Sequence, residues 1–192
     1  VYKRQFFTFS SQFAYLNGTR NVNITNTVVE NNLSRYGTIN FRAANAENTI
    51  GTLYNCLFKD NVVKDRPGTA GFAGSVVWVV SNSVPARLTI TLNMINCTAV
   101  NNQDLGTNSN LNNFTRSPIM VGENGSTMIT NISNTIVWNN TTIGGNSSRS
   151  VSAATSASTG TILISNSISN DDFANIAAGS KVNTSNSDPL FT

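Results

Sequence analysis

The stretch from Asn131 to Asn140, N-I-S-N-T-I-V-W-N-N, limits what this chain can fold into, because the chain repeats it. Its skeleton is an aliphatic residue, a spacer, an Asn, four residues, and then two further amide or acid residues. The same skeleton runs from Ile24 to Asn32, from Leu53 to Asn61 and from Met94 to Asn102, with a more worn copy from Ile164 to Asp172. A unit of this kind buries its apolar face only against its neighbours, so the pattern predicts a solenoid. The marker residues Asn26, Asn55, Asn96, Asn134 and Asn166 lie 29, 41, 38 and 32 residues apart. A constant core at a variable spacing means that insertions sit in the loops.

The runs around the markers are short, β-branched and broken by Gly or Asn, and no 3.6-residue stripe competes with them. Helical solenoids are excluded. The expected fold is all-β: a parallel β-helix with loop insertions of variable length, one domain over residues 1–192. Stacked coils place equivalent residues about 4.8 Å apart. The marker Asn residues then form a column. Asn tolerates the left-handed backbone that a sharp corner needs, and stacked amides donate and accept along the column. A lone buried amide costs a few kcal/mol, most of which a continuous ladder recovers. Two aliphatic columns are expected to fill the tube: Ile24, Leu53, Met94, Ile132 and Ile164, then Val28, Leu57, Thr98, Ile136 and Ile168. Val76 to Val80 does not alternate, as a strand covered on both faces would not. Helical turns are expected only within residues 42–48 and 172–178.

Only 11% of residues are charged, against about 25% in ordinary domains. Asn, Ser, Thr and Gly fill the difference, which suits a neutral, hydrogen-bonding exterior. The net charge of +3 is scattered, with no basic stripe interleaved with aromatics, so nucleic acid is not an expected partner. The longest apolar run is strand-sized, against roughly 18 residues for a membrane span. The chain starts Val1-Tyr2-Lys3-Arg4 without Met or a signal-peptide layout, so it reads as a mature chain or a piece of a longer one.

There is no His, which removes every Ser-His or Cys-His scheme from this chain. Of the nine acids only Asp171 and Asp172 are adjacent, and on a strand they would face opposite ways; a solvated turn is their expected role. No catalytic residue, metal ligand set or cofactor is assigned. Cys56 and Cys97 each follow a marker Asn, in the column of Thr27, Thr135 and Ser167. In adjacent coils their Cα atoms would fall within the range of about 4.4 to 6.8 Å that a disulfide accepts. Two alternatives stay open: a coil-clamping disulfide in an oxidising compartment, or two free thiols packed like Thr. Glycosylation sequons make Asn17, Asn23, Asn32, Asn113, Asn124, Asn139, Asn146 and Asn183 candidate glycan sites. Asn96, expected inside the ladder, should carry none.

Asn134-Thr135-Ile136-Val137-Trp138-Asn139-Asn140, with Asn166-Ser167-Ile168 and Asp188-Pro189-Leu190-Phe191 downstream, resembles the last coils of bacterial right-handed parallel β-helix surface proteins. Those carry an N-S-I-x-W-x-N coil and a D-P-L-F ending before an anchoring or sorting region. The copy from Asn55 to Asn61 is similar to the repeats of polymorphic outer-membrane adhesins, although their G-G-A-I element is absent here. The resemblance implies a right-handed parallel β-helix outside the cell or on its surface. The expected function is non-catalytic: a rod-like spacer, adhesin segment or filament subunit. Its strand edges would be covered by end-to-end self-association or by neighbouring coils of a longer chain. The alternatives are a polysaccharide-acting enzyme on the same scaffold, pectin lyase-like or a glycosidase, and a carbohydrate-binding module using Tyr36, Tyr54, Trp78 and Trp138.

Overall fold

The first four copies of the repeat become short strands joined at single left-handed residues. In the third copy Thr89–Ile95 runs to Asn96, Thr98–Val100 runs to Asn101, and Gln103–Asp104 follows. Asn96 and Asn101 have φ of 53° and 56°, in the region that Asn enters at least cost among residues with a Cβ. The computed structural model describes residues 7–10, 18–34, 37–43, 47–64, 74–81, 89–105, 117–121, 127–142, 150–153, 160–174 and 176–190.

Four parallel sheets result, each taking strands from successive coils. The first holds Phe7–Ser10, Ile39–Ala43, Val77–Ser81, Ile119–Val121 and Val151–Ala153. The second holds Gly18–Thr25, Glu47–Tyr54, Thr89–Ile95, Thr127–Ser133, Gly160–Ser165 and Lys181–Val182. The third holds Val28–Glu30, Leu57–Lys59, Thr98–Val100, Ile136–Trp138 and Ile168–Ser169. Leu33–Ser34, Val62–Val63, Gln103–Asp104 and Thr141–Thr142 make the fourth. The register sets Ile24 against Leu53, then Met94, Ile132 and Ile164 in turn. Pairing continues through the corners, where the Asn55 N–H donates to the Ile95 carbonyl at 3.0 Å. The chain is a parallel β-helix.

Alternation within each strand decides what fills the tube. Ile90, Leu92 and Met94 are buried, while Thr89, Thr91, Asn93 and Ile95 between them are partly exposed. The first expected column lies inside, with Ile24 partly covered at its end. The second does not: Val28, Leu57, Thr98, Ile136 and Ile168 face outward, Val28 at 60% exposure. The tube is filled instead by Val29, Phe58, Ala99, Val137 and Ser169. Its cause is the corner. The spacer and the left-handed Asn both face outward, so the phase slips by one residue.

At the described positions of its central strands the first sheet is covered on both faces, with Ile39, Asn40 and Phe41 and then Val77, Trp78 and Val79 all buried. The described residues of the two expected helical stretches do not form the helices as read, and 44–46 and 175 lie outside the described residues. In residues 42–48, Ala43 ends one strand and Glu47 begins another. Residues 172–178 contain a tight turn, and a single 3-10 turn follows at Ala178–Ser180. In the tight turn Asp172 and Phe173 both take positive φ, 47° and 51°. Such a conformation costs a bulky residue about 1–3 kcal/mol. The Phe173 ring is fully buried in the core cluster, which offsets that by about 1.5–3 kcal/mol.

Candidate functional site

The marker residues form the corner between the second and third sheets. Asn26, Asn55, Asn96, Asn134 and Asn166 all take positive φ, between 47° and 53°. All five are exposed. Their side chains do not form one continuous ladder among the described residues. Asn55 Nδ2 donates to Asn26 Oδ1 at 2.7 Å, and Asn183 Nδ2 donates to Asn166 Oδ1 at 3.0 Å. Asn96 is therefore not shielded inside a ladder, and the reason given for its carrying no glycan fails.

The continuous ladder lies at the next corner. There Asn31, Asp60, Asn101 and Asn139 supply the left-handed residue, with φ from 50° to 56°. The residue after each, Asn32, Asn61, Asn102 and Asn140, is buried. Asn32 Nδ2 donates to Asn61 Oδ1 at 2.9 Å, Asn61 Nδ2 to Asn102 Oδ1 at 2.8 Å, and Asn102 Nδ2 to Asn140 Oδ1 at 2.8 Å. Each of these oxygens also accepts the backbone N–H of the preceding rung, at 3.2, 3.1 and 2.9 Å. The second amide hydrogens reach inward-facing carbonyls: Asn61 to Val29 at 2.8 Å, Asn102 to Phe58 at 3.0 Å, Asn140 to Ala99 at 2.9 Å. Only an amide, with donor and acceptor on one planar head, satisfies both directions. Asn32 was a candidate glycan site. At 6% exposure and with its Nδ2 committed to Asn61, it is not one.

A third column stands just inside the first corner. Thr27, Cys56, Cys97, Thr135 and Ser167 share it, and each donates to a backbone carbonyl two residues back: Thr27 to Thr25, Thr135 to Ser133 and Ser167 to Ser165 at 2.7 to 2.8 Å, the thiols at 3.3 to 3.4 Å. Cys56 and Cys97 are free, buried thiols in adjacent coils, with the Thr98 N–H donating to the Cys56 carbonyl at 2.9 Å. Burial pushes the Cys97 thiol up to about 11. A thiol held protonated is a poor nucleophile.

The acids serve the backbone. Asp171 Oδ1 accepts Ser169 Oγ at 2.9 Å and the Phe173 N–H at 3.1 Å, while Oδ2 accepts the Ser150 N–H at 3.1 Å. Asp172 pairs with Lys181 at 3.6 Å. The two carboxylates sit in a turn, as expected. No group of three or more His, Cys, Asp or Glu able to hold a metal occurs among the described residues. Asn23, Asn139 and Asn183 are exposed. Asn17, Asn113, Asn124, Asn146 and Tyr36 lie outside the described residues.

Two open grooves follow the second corner. One, of about 660 Å³, is lined by Asn31, Leu33, Asp60, Val62, Lys64 and Leu105. The other, of about 530 Å³, lies on the outer face of the third sheet, between Lys59, Val100 and Trp138 and the chain at Asp188 and Leu190. Lys59, Val100 and Trp138 are register partners in adjacent coils. Asn101 and Asn139 edge this groove, joined by an Asn139 Nδ2 to Asn101 Oδ1 bond of 2.7 Å.

No protein family, curated protein or solved structure matches the chain. Its function has to be read from this geometry alone. Sequence reasoning found the aromatic Trp138 but missed the groove, because the wall at 188–190 comes from far along the chain. Trp78, grouped with the exposed aromatics, is buried in the first sheet, and Tyr54 is 44% exposed.

Proposed function

We propose that the chain is a stiff, non-catalytic structural segment: a β-helical rod that serves as a spacer or adhesin segment outside the cell or on its surface. The observation that carries this reading is the unbroken ladder from Asn32 to Asn140. A buried amide column ties four successive coils together along the axis. Slipping or peeling one coil breaks several short bonds at once. The polar but sparsely charged exterior suits an extracellular surface protein akin to the bacterial β-helix family it resembles. The same axis lets further coils, of a longer chain or of a second copy, continue the sheets.

Single-molecule pulling along the axis tests the reading. Coil-by-coil unfolding at forces well above those of helical repeats is expected, with Asn102→Ala lowering the force. Extension at low force without discrete steps would overturn the mechanical role. Turnover of polyuronates by the purified chain would overturn the non-catalytic one.

A further inference from the structure

We propose that the groove beside Trp138 is a binding site for a neutral polysaccharide, holding pyranose rings against the indole along the coil axis. This goes beyond the rod reading, and either can fail without the other.

Three observations converge on that ligand. The floor is apolar and aromatic: Val100 and the Trp138 ring are in-register neighbours on the outer face of the third sheet, and Leu190, 76% exposed, stands on the opposite wall. An indole offers a broad, weakly negative face to the C–H side of a sugar ring. Hydroxyl-binding groups line the rim in pairs. Asn139 Nδ2 and Asn101 Oδ1 are used in their mutual bond. Among the described residues, Asn101 Nδ2 is then left as donor and Asn139 Oδ1 as acceptor, one coil apart. Coils repeat at about 4.8 Å, a step close to the length of one pyranose. Asp188 spends Oδ1 on the Leu190 N–H at 2.9 Å and keeps Oδ2 for a hydroxyl pair.

Charge selects among sugars. Lys59 is paired at 3.6 Å with Asp60, which lies outside the lining of this groove, and Asp188 is the carboxylate within the groove. The lining carries one charge of each sign, and its cation is already paired, so it offers no excess positive charge to uronates or sulfated chains. The groove is open at the surface rather than enclosed, as a polymer passing through requires. The larger groove near Leu33 has amides and charges but no aromatic lining, so nothing there stacks a ring.

The test uses the whole chain and four probes: cellohexaose, xylohexaose, mannohexaose and polygalacturonate. Titration is followed by tryptophan emission and calorimetry. At least one neutral hexasaccharide should bind with a dissociation constant in the micromolar to millimolar range and shift the emission. Trp138→Ala should weaken it at least tenfold, and Asp188→Asn, a change on an exposed side chain, about threefold or more. Unfolding curves for both variants show whether the coil persists. If Trp138→Ala does not fold, Asp188→Asn and Asn101→Ala decide. Binding of polygalacturonate more tightly than any neutral sugar, unchanged binding in the variants, or no response to any neutral probe at millimolar concentration would overturn the proposal.

Discussion

Replacing Asn102 by Ala removes one of the two inner rungs of the buried ladder. The Asn102 side chain accepts from Asn61 N–H at 3.1 Å and from Asn61 Nδ2 at 2.8 Å. Its own Nδ2 donates to Asn140 Oδ1 at 2.8 Å, to the Phe58 carbonyl at 3.0 Å and to the Val100 carbonyl at 3.1 Å. Some partners keep a second contact: Asn61 Nδ2 retains the Val29 carbonyl, and Asn140 Oδ1 retains the Asn102 N–H. The Asn61 N–H loses its acceptor, and the Phe58 carbonyl loses the amide donor. Each such loss in a buried site costs about 1–3 kcal/mol. With the cavity included, the deficit comes to about 3–6 kcal/mol against a total stability of about 5–15 kcal/mol.

The matched control is Asn55→Gly at the first corner. It removes one exposed bond, to Asn26 at 2.7 Å, and Gly adopts the φ of 53° without strain. Its expected cost is below about 1 kcal/mol. Guanidinium unfolding followed by circular dichroism measures both. With a slope of about 3–5 kcal/mol per molar, Asn102→Ala should lower the midpoint by about 1 M and Asn55→Gly by less than about 0.3 M. Equal shifts, or an Asn102→Ala cost under about 1 kcal/mol, would refute the assignment of the ladder to the second corner. Asn102→Asp sharpens the test. It points a carboxylate oxygen at three carbonyl acceptors, so the group is driven to protonate. The variant should regain stability as pH falls, whereas Asn102→Ala should not.

Other outcomes follow from packing and titration. A Cβ on Gly51 would lie 2.5 Å from the Phe41 ring, so Gly51→Ala should destabilise by about 1–3 kcal/mol, and adding Phe41→Leu should restore part of it in the same unfolding assay. The Cys97 thiol is pushed up to about 11 from an ordinary 9.0. Its contribution is complete below pH 9 and is lost as pH rises towards 11, by on the order of 1–2 kcal/mol, and Cys97→Ser should flatten that stretch of the stability–pH curve. After expression in a glycosylating host, peptide mass spectrometry should find Asn32 bare and glycans confined to exposed sequons such as Asn23, Asn139 or Asn183.

The solenoid was legible because period-two strands and a recurrent Asn leave few other solutions. The left-handed corners were legible for the same reason, since Asn is the residue that turns there. Two things were not. The phase slip at each corner is a property of backbone geometry: a left-handed residue inserted between strands puts two successive side chains on the outside. An alternation count carried straight through it assigns Val28 and Leu57 inward when Val29 and Phe58 are the core. The ladder was misplaced because the marker Asn is the more conspicuous position. The tail-walled groove depended on long-range packing that no local pattern encodes.

The signal for the true ladder nevertheless stands in the repeat, in its closing dipeptide. The pairs are Asn31-Asn32, Asp60-Asn61, Asn101-Asn102 and Asn139-Asn140. The first member only turns the chain, and Asp60 at φ 54° does that as Asn does. The second member must accept from one coil and donate to another, and there the residue is Asn every time. In the fifth copy the pair becomes Asp171-Asp172. A carboxylate has no hydrogen to donate to an inward carbonyl, so it cannot serve as the next rung. At that copy the corner changes. The left-handed residues move to Asp172 and Phe173, Asp171 turns its oxygens to the backbone N–H groups of Ser150 and Phe173, and the Phe173 ring enters the core. Loss of the amide at one position thus coincides with the end of the ladder and with a turn that puts an aromatic ring into the tube. The dipeptide, rather than the marker Asn, decides whether a coil joins the buried column.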